Sequence, residues 1–581
     1  MEIGNNQKDV RTCREKLGCV YGGLTAEHRS DSNKRPIQDV ARLTVSSDVD
    51  IDLRECKSLL DPGAFPHAIE HIELIETHIS WVILTGPYAY KIKKPVKLEF
   101  LDFRDLQRRR FYCEEEIRLN QDWTPEIYLD VVTINKDQNR LRIGGTGPIV
   151  EYAVRMRQFE QSARLDLQLV GGTLTAADMH DLAAIIAKHH QRATVCRPES
   201  KRSILTLTRK FMLDNFEPLD GLIQENKLCP LRKWTAAELN KLEMKLRHRY
   251  DGGFMRDCHG DLHLANLVRL PTGIAAFDRI EFDAKFRQID VVNDIAFLVM
   301  DLSAKGRSDL GFLALNRYLE LSGDYDSMSL FNLYFVYRCL VRAKVMAINC
   351  HACHDKVKAR KHIVELHRYL DLAAAQSVKR APFLIVMHGF SGSGKTWLSS
   401  QLMSELPAVR IRSDIERKRI HCLAESATSN SDIGQGLYTD SANEDVYTRL
   451  CLIAKSVLRA GHDVILDASF LGIRQRERAH RIAAHCHAGF VLIETKVSDE
   501  NLRARIKRRR RSGGDASEAG VAVLDYQQQR IEPLSESERQ LTVSVCTSDE
   551  VDLTKLLQRI RHAAAIDECA VLNNPPTTSR A

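Results

Sequence analysis

The chain has 581 residues, of which 44% are hydrophobic and 28% charged, and at about 150 residues per domain this length corresponds to roughly three to four domains. Lys and Arg exceed Asp and Glu by 84 − 77 = +7, which excludes a uniformly basic protein but leaves room for local basic patches. No stretch approaches the ~18 apolar residues of a membrane span, and the N-terminal residues lack the apolar segment of a secretory signal. The 15 cysteines are scattered, which favours reduced thiols over a disulfide framework. We therefore expect a cytoplasmic multidomain protein without a membrane partner.

The N-terminal part of the chain divides into a polar tail and a long folded region. Residues 1–45 are polar and irregular, and we predict that they form a mobile tail. Apolar periodicity is then continuous from Ile51 to about Ala375, and we place a domain at 46–375. Within this region the patterns predict, in chain order, hairpin strands at Ile79–Leu84 and Tyr88–Lys93, a charged helix at Phe103–Asn120, a strand at Val150–Met156 and one continuous helix at Lys344–Leu372.

One string in this region has the spacing of a kinase catalytic loop, His259-Gly-Asp-Leu-His-Leu-Ala-Asn266. In such a loop the aspartate, here Asp261, accepts the proton of the acceptor hydroxyl, and the asparagine, here Asn266, holds a metal ion. Asp278 closes a short β run 12 residues after Asn266, which is the position of the second metal ligand. Asp294 lies off the apolar face of the next predicted helix, where it can brace the loop.

These residues resemble those of aminoglycoside and choline phosphotransferases, a branch of the protein-kinase-like fold. The resemblance covers about residues 50–370. It implies a two-lobed α+β fold, with an N-lobe over about 46–156 and a C-lobe over about 157–375. It also implies that Asp261 is the base and that Asn266 and Asp278 bind Mg²⁺. Asp294 would then have a structural role.

Kinases of this kind need a strand lysine for the nucleotide phosphates and a helix glutamate that holds the lysine. Lys91 and Lys93 lie on one face of the predicted strand Tyr88–Lys93, because alternate residues of a strand share a face. Glutamates 114–116 follow on the next predicted helix. We predict that Lys91 pairs with Glu115, with Lys93 and Glu116 as the alternatives.

The pattern changes after residue 382, where short β-type runs alternate with helical stretches. This alternation predicts an α/β fold with a parallel sheet flanked by helices. The predicted strands are Phe383–His388, Val409–Arg412, Val464–Leu466, Phe490–Glu494 and Leu541–Val545. We place a linker at 376–382, a domain at 383–548, and a C-terminal helix and tail at 549–581.

The first of these strands leads into a phosphate-binding loop. Residues Gly389-Phe-Ser-Gly-Ser-Gly-Lys-Thr396 match the pattern G-x-x-x-x-G-K-[ST], with a helical stretch directly after it. Lys395 is expected to bridge the β- and γ-phosphates, and Thr396 to hold Mg²⁺. Backbone N–H groups of the loop curl around a polyphosphate, and the loop residues assigned to nucleotide binding are Gly389, Ser391, Gly392, Ser393 and Gly394.

Acidic and basic residues follow the later strands. Asp414 comes at the carboxyl end of its strand, where ligands lie in open α/β sheets, and Arg417 is one helical turn further on. Such a pair can deprotonate an acceptor hydroxyl and neutralise a phosphate, although capping plus a surface i,i+3 pair explains the spacing equally well. Asp467 ends a buried run, as the Mg²⁺-associated acid of such domains does.

An arginine-rich helix precedes a glycine-rich segment near the end of this domain. Arg505, Arg508 and Arg509 share a helix face before Ser512-Gly-Gly514. An arginine-bearing helix beside a flexible hinge suits a lid that closes over the phosphates, and the alternative is a solvated basic face.

The loop, Ser413-Asp-x-x-Arg-Lys418, Asp467-Ala-Ser-Phe470 and Asp515-Ala-Ser-Glu-Ala519 together resemble a group of bacterial P-loop kinases. Relatives of this group include gluconate kinase, the kinase part of polynucleotide kinase and zeta-type toxins. The resemblance covers about residues 382–545 and implies a P-loop NTPase fold. It implies that Asp414 is the acceptor-site base and that Arg417 contacts the substrate or a phosphate. Arg505 and Arg509 would be lid arginines.

The sequence therefore predicts a fusion of two phosphotransferase domains, each using ATP and Mg²⁺, with small-molecule hydroxyl acceptors. Catalytic roles fall on Asp261, Asp414 and Lys395. Two alternatives stay open. In the first alternative, the N-terminal domain is regulatory rather than catalytic. In the second, the C-terminal domain phosphorylates the 5′-hydroxyl ends of nucleic acids.

Overall fold

The structure is a computed structural model, and it describes residues 53–98, 101–138, 140–197, 201–353, 355–425, 427, 439–512 and 520–573. Four sequence predictions lie outside these residues, namely the tail over 1–45, the hinge glycines at 513–514, the motif at 515–519 and the end of the C-terminal tail. Within the described part of the chain, no helix combines the length and the apolar character needed to cross a membrane.

The helices and strands up to residue 377 follow one another without a long irregular segment in the described part. The strands are β1 Glu73–Glu76, β2 Ser80–Leu84, β3 Tyr88–Lys93, β4 Lys97–Leu98, β5 Leu101–Asp102, β6 Tyr128–Asp137, β7 Arg140–Ile143, β8 Ile149–Arg157, β9 Met255–Asp257, β10 Leu267–Leu270, β11 Gly273–Ala276 and β12 Gln288–Asp290. The α-helices are α1 Leu53–Ser58, α2 Leu106–Gln121, α3 Leu165–Val170, α4 Ala176–Arg192, α5 Lys201–Leu213, α6 Glu225–Lys241, α7 Glu243–Asp251, α8 Val291–Ala304, α9 Ser308–Ser322, α10 Met328–Ala352 and α11 Lys356–Ser377.

The remaining elements alternate between strand and helix. The strands are β13 Phe383–His388, β14 Ala408–Arg412, β15 Asp463–Asp467, β16 Gly489–Lys496 and β17 Thr542–Cys546. The α-helices are α12 Lys395–Glu405, α13 Ser413–Ile420, α14 Asp440–Arg459, α15 Ile473–His485, α16 Asp499–Ser512, α17 Val521–Arg530, α18 Glu536–Gln540 and α19 Leu553–Asn573.

The chain forms two compact units that do not follow the sequence order. The first contains the described residues of 1–174, 192–298 and 335–377. The second contains those of 175–191, 299–334 and 378–581. The second unit therefore includes α9 and most of α4, which precede the parallel sheet by many residues.

The first unit is built on an antiparallel sheet with the strand order β1-β2-β3-β8-β6-β7. The predicted hairpin is present, and Val82 of β2 pairs with Lys91 of β3. Helix α2 packs on β8 and β6. It begins after Asp105, whose carboxylate accepts the Arg108 backbone N–H at 2.9 Å, an N-cap that stabilises the first turn. From this helix, Glu116 reaches the two lysines of β3.

The prediction of one continuous helix over Lys344–Leu372 is wrong. Helix α10 ends at Ala352 and α11 begins at Lys356. The side chain of Asp355 accepts the backbone N–H of Val357 at 2.8 Å, so Asp355 caps a new helix start. Asp and its local hydrogen bond compete with helix continuation, and the apolar periodicity on either side does not reveal this break.

The second unit contains the predicted parallel sheet, with the strand order β14-β15-β13-β16-β17. All four strand pairs are parallel. Leu384, Ile385, Val386 and Met387 of the central strand are completely buried, because helices cover both faces of such a sheet. The five strands predicted from apolar runs are confirmed.

Helix α9 covers the free edge of this sheet. The Asn316 amide donates to the backbone oxygen of Ala408 at 2.9 Å and accepts the backbone N–H of Arg410 at 2.6 Å. The side chain of Glu320 also accepts from Arg410, at 3.0 Å. An edge strand exposes unpaired backbone groups, and Asn316 satisfies two of them in β14.

A buried histidine makes the stability of the second unit depend on pH. Burial lowers the pKa of His462 to about 4, and its ring Nε2 donates to the Met328 oxygen at 3.2 Å. The unfolded chain takes up a proton near the ordinary histidine pKa while the folded chain stays neutral, so stability is present above that pKa and is lost as the pH falls. We expect His462 to lower the unfolding free energy by about 2 kcal/mol between pH 7 and pH 5.

Urea unfolding at the two pH values measures this effect. The variant His462→Gln keeps a side-chain N–H donor but does not titrate, so it should lose less stability than the wild type on acidification. An equal loss in both proteins contradicts the assignment.

Candidate active sites

The phosphate loop lies between β13 and α12, as its sequence pattern requires. Gly389, Gly392 and Gly394 have φ values of +145°, +82° and +88°, which favour glycine. The Ser393 and Thr495 hydroxyls are 2.6 Å apart, and this contact supports the loop. Helix α12 begins at Lys395, and its N-terminus gives positive potential to the loop.

A single cavity of about 750 Å³ brings most of the predicted C-terminal site residues together. It is lined by Ser391, Gly392, Gly394, Lys395, Thr396, Asp414, Arg417, Asp467, Arg505 and Arg509, among others. These residues come from four separated chain segments, so their convergence is not a consequence of sequence proximity. The volume is within the range of small-molecule and cofactor sites.

The side chain of Lys395 is held by a backbone oxygen of the phosphate loop. Its Nζ donates to the Phe390 oxygen at 2.7 Å. Burial lowers the pKa of Lys395 to about 8, although Asp467 and Asp414 act in the opposite direction. The attraction between a lysine and a phosphate is stronger when the lysine is poorly solvated before the phosphate arrives.

Oxygen donors suitable for Mg²⁺ lie next to Lys395. The Thr396 hydroxyl donates to one oxygen of Asp467 at 3.3 Å, and the Ser399 hydroxyl donates to the other at 3.1 Å. Mg²⁺ prefers a few carboxylate and hydroxyl oxygens together with water and substrate phosphates. The chemistry of Thr396 and Asp467 therefore fits this ion.

Asp414 and Arg417 lie on α13, which begins directly after β14. Both line the cavity, and Arg417 is largely buried. Glu416 between them is completely buried and pairs with Arg449 at 2.6 Å. This ion pair fixes α13 against α14. Glu416 thereby sets the rotation of α13 about its own axis, and with this rotation Asp414 and Arg417 face the cavity.

Arg505 and Arg509 of α16 lie at the cavity, and Arg509 reaches the phosphate loop. Arg505 donates to the side-chain and backbone oxygens of Thr547 at 3.0 and 2.8 Å. Arg509 donates to the Ser391 hydroxyl at 3.3 Å. Both predicted lid arginines thus lie at the cavity, while the glycines of the predicted hinge, 513–514, lie outside the described residues.

Sequence reasoning missed two residues that support the loop. Thr547 donates its hydroxyl proton to the Ser393 oxygen at 2.7 Å, and Gln527 accepts the Ser391 backbone N–H at 2.8 Å. Thr547 follows β17 at the carboxyl end of a parallel strand, a position that is itself a signal for site residues. Gln527 comes from the middle of α17, and no local pattern marks it.

Gly394 allows a test of the loop geometry with a matched control. A Cβ at Gly394 would lie 2.9 Å from the Thr547 hydroxyl, whereas a Cβ at Gly461 would meet nothing within 4 Å. The two glycines have almost the same φ, +88° and +87°, so alanine costs about 1–2 kcal/mol of backbone strain at either position.

We therefore expect Gly394→Ala to lose at least as much stability as Gly461→Ala in thermal unfolding, because a Cβ at position 394 also meets Thr547. Only Gly394→Ala should also weaken binding of Mg·ATP, by at least about tenfold, because the loop must shift away from Thr547. Equal nucleotide affinity in the two variants contradicts the role assigned to this loop.

The first unit contains the second set of predicted site residues. Asn266 donates to the Asp261 carboxylate at 2.9 Å and to its backbone oxygen at 3.0 Å. His263 lies 3.3 Å from the same carboxylate. Burial raises the pKa of Asp261, but His263 and Arg342 outweigh this effect and hold the pKa below its usual value. Asp261 is therefore an ionised acceptor of protons and hydrogen bonds at neutral pH.

Asp294 braces the loop that carries Asp261. Its two carboxylate oxygens accept the backbone N–H groups of His259 and Gly260, both at 3.0 Å. Gly260 has φ = +87°, and a Cβ there would lie 2.8 Å from the Phe286 oxygen. The loop thus requires glycine at this position, and the prediction that Asp294 supports the loop agrees with this geometry.

Asp278 lies where the strand lysine can reach it. It has φ = +61°, and its backbone N–H donates to the Tyr128 hydroxyl at 2.9 Å. The Lys91 ammonium is 2.5 Å from its carboxylate. The side chain of Asp278 is 43% exposed, so it stays accessible to a ligand. Carboxylate and amide oxygens such as those of Asp278 and Asn266 fit Mg²⁺.

The predicted pairing of Lys91 with Glu115 is wrong, and the alternative glutamate takes its place. The Lys91 ammonium donates to Glu116 at 2.8 Å. Glu115 pairs instead with Arg118 of the same helix at 2.6 Å. Adjacent helix residues point about 100° apart, so only one of them can face β3, and the buried residue is Glu116.

Comparisons with known proteins found similar mycobacterial proteins. The chain is similar to the uncharacterized protein Rv2004c of Mycobacterium tuberculosis, with 27% identity over 463 residues, 79% of this chain and 90% of that protein. The uncharacterized protein Mb2027c of Mycobacterium bovis matches with the same identity and coverage.

Two solved structures are similar to part of the chain. A choline kinase from Cryptosporidium parvum is 12% identical, with a TM-score of 0.33, over 55% of this chain and 96% of that chain. A gluconokinase from Sinorhizobium meliloti is 18% identical, with a TM-score of 0.23, over 34% of this chain and 99% of that chain. Residues 384–534 match the family model described as an AAA domain, AAA_33, and this segment contains the phosphate loop.

Proposed function

We propose that the chain is an ATP- and Mg²⁺-dependent phosphotransferase whose second unit transfers the γ-phosphoryl group to a hydroxyl acceptor. The observation that carries this proposal is the single cavity lined by Lys395, Asp414 and Asp467 together with the α16 arginines. Phosphoryl transfer needs little covalent chemistry from a protein, and it depends on positioning and on charge stabilisation. This cavity contains side chains that can position the reactants and side chains that can stabilise charge.

Each residue of the cavity has a role in the proposed reaction. Lys395 and the backbone of the loop hold the phosphates, and Arg505 and Arg509 neutralise charge that develops on the transferring group. Thr396 and Asp467 would hold Mg²⁺, which neutralises phosphate charge when it is bound. Asp414 orients the acceptor hydroxyl and takes its proton, and Arg417 contacts the acceptor or its new phosphate.

We propose a second phosphotransfer site in the first unit. Asp261 would take the proton of its acceptor, while Asn266 and Asp278 would hold Mg²⁺. Lys91, supported by Glu116 at 2.8 Å, would bind the nucleotide phosphates. The support for this second site is the close grouping of Lys91, Glu116 and Asp278 from three separate elements.

Labelled-ATP transfer into a cell metabolite extract tests the proposal. The wild type should label products that Lys395→Ala no longer makes and others that Asp261→Ala no longer makes. If Asp261→Ala leaves total transfer unchanged while Lys395→Ala abolishes it, the first unit is a regulatory module rather than a second enzyme. If neither substitution changes the labelling, the proposed function is wrong.

The acceptors proposed here are small molecules with a hydroxyl group. The alternative acceptor for the second unit is the 5′-hydroxyl end of a nucleic acid, suggested by the arginines near the cavity. Incubation with a 5′-hydroxyl oligonucleotide and labelled ATP separates the two. Label on the oligonucleotide supports the nucleic-acid acceptor, and its absence excludes that acceptor for the sequence used.

A further inference from the structure

A second lysine is buried behind Lys91 in the first unit. Lys93 lies two residues further along β3 on the same face, and its side chain is completely buried. Its ammonium is 2.8 Å from the second oxygen of Glu116 and forms a further ion pair with Glu281. Glu116 and Glu281 are both buried as well. One carboxylate therefore holds two lysines, and each lysine has a further carboxylate partner, Asp278 for Lys91 and Glu281 for Lys93.

The two lysines differ in what they can reach. Lys91 keeps 11% of its side chain exposed and contacts Asp278, whereas Lys93 has no exposed surface. A phosphate can therefore meet Lys91 but not Lys93. Lys93 is tied to Glu281, which follows Asp278 by three residues in the chain.

The arrangement changes how strongly Glu116 neutralises Lys91. If Glu116 had Lys91 as its single cationic partner, the full carboxylate charge would offset the charge on Lys91. Because Lys93 takes one of the two oxygens, Lys91 keeps more of its positive charge for a phosphate. Through Glu116 and Glu281, Lys93 also links helix α2 to the segment just after Asp278. This link fixes the distance between Lys91 and Asp278.

We propose that Lys93 and Glu281 form a positioning pair for nucleotide and metal binding at the first unit's site. Lys93 would hold Glu116 so that Lys91 stays available to phosphate, and Glu281 would hold the Asp278 segment in register with β3. This inference rests on the second phosphotransfer site proposed above. Neither residue touches the nucleotide or takes part in the transfer.

The test measures nucleotide affinity at this site alone. The parent protein is the full chain with Lys395→Ala, which removes binding at the P-loop, and the probe is Mg·ATPγS in isothermal titration calorimetry. Into this parent we would introduce Lys93→Met together with Glu281→Leu, because removing both charges avoids leaving one of them buried without compensation. Thermal unfolding reports whether the variant is folded.

We expect the double substitution to leave the protein folded, to weaken binding by at least about tenfold, and to raise the Mg²⁺ concentration needed for half-maximal binding. A purely structural pair would not change the Mg²⁺ dependence. The matched control is Arg155→Met with Asp130→Leu, an ion pair of 2.6 Å on the same sheet, which should leave both quantities unchanged.

Three results overturn the inference, and they are distinguishable. If the folded double variant binds Mg·ATPγS as tightly as the parent, Lys93 and Glu281 have no positioning role. If the parent itself binds no nucleotide, the proposed site in the first unit is wrong, and the inference falls with it. If the double variant does not fold, Glu281→Gln replaces it and should weaken binding several-fold with the same shift in Mg²⁺ dependence; unchanged binding refutes the inference.

Discussion

Replacing Lys395 with alanine is expected to reduce phosphoryl transfer by the second unit by roughly 10²–10³-fold. The lysine is positioned before any ligand arrives, by the contact of 2.7 Å to the Phe390 oxygen. Its cationic charge lies in a poorly solvated site, where interaction with phosphate is stronger than in water. Removal should therefore raise KM for Mg·ATP and lower kcat, since Lys395 is expected at the β- and γ-phosphates, where charge develops on the leaving oxygen during the transfer.

The measurement is the transfer of label from ATP into those products that depend on the second unit. Lys555→Ala is the matched control, because this lysine is 79% exposed and lies in the C-terminal helix away from the cavity. Near-normal transfer by Lys395→Ala, in a protein whose thermal unfolding is unchanged, contradicts the assignment of the phosphate loop.

The second large effect is expected for Asp261→Asn in the first unit. Asparagine has the same shape and can still accept the Asn266 N–H, which lies 2.9 Å from the carboxylate, so the loop should keep its conformation. It cannot take the proton of an acceptor hydroxyl, a function that contributes about 10²–10⁴-fold in rate. We expect kcat for products of the first unit to fall by about 10³-fold while binding of Mg·ATP is retained.

Single-turnover transfer and nucleotide titration together separate these quantities. Asp214→Asn, an exposed aspartate paired with Lys210, serves as a control for the loss of one carboxylate. Loss of nucleotide binding in Asp261→Asn assigns the residue to binding, and unchanged transfer excludes it as the base.

The parallel sheet could be predicted from the sequence because of its burial. Strands covered on both faces, such as β13 and β15, appear as continuous apolar runs bounded by turn residues. The phosphate loop adds glycines whose positive φ values have a physical reason, so the loop and its flanking elements are specified locally. The convergence of Asp414 and Asp467 on this loop follows from the shared carboxyl edge of parallel strands.

Other features depend on contacts between distant residues. The choice between Glu115 and Glu116 depends on a helix rotation of one residue, which the packing of α2 on the sheet decides. Glu281 reaches Lys93 across 188 residues of chain, and no local pattern marks such a pair. Asn316 of α9 satisfies the backbone of β14 in the same way, so the inclusion of α9 in the second unit could not be seen in the sequence.

The number of nucleotides bound per chain tests the existence of two sites most directly. Calorimetric titration of the full chain with Mg·ATPγS should give two equivalents, one lost in Lys395→Ala and the other lost in Lys91→Ala. Contacts of 2.7 Å to the Phe390 oxygen and 2.5 Å to Asp278 hold Lys395 and Lys91 at the two proposed phosphate sites. A single equivalent in the wild type that disappears in Lys395→Ala and persists in Lys91→Ala would contradict a second nucleotide site.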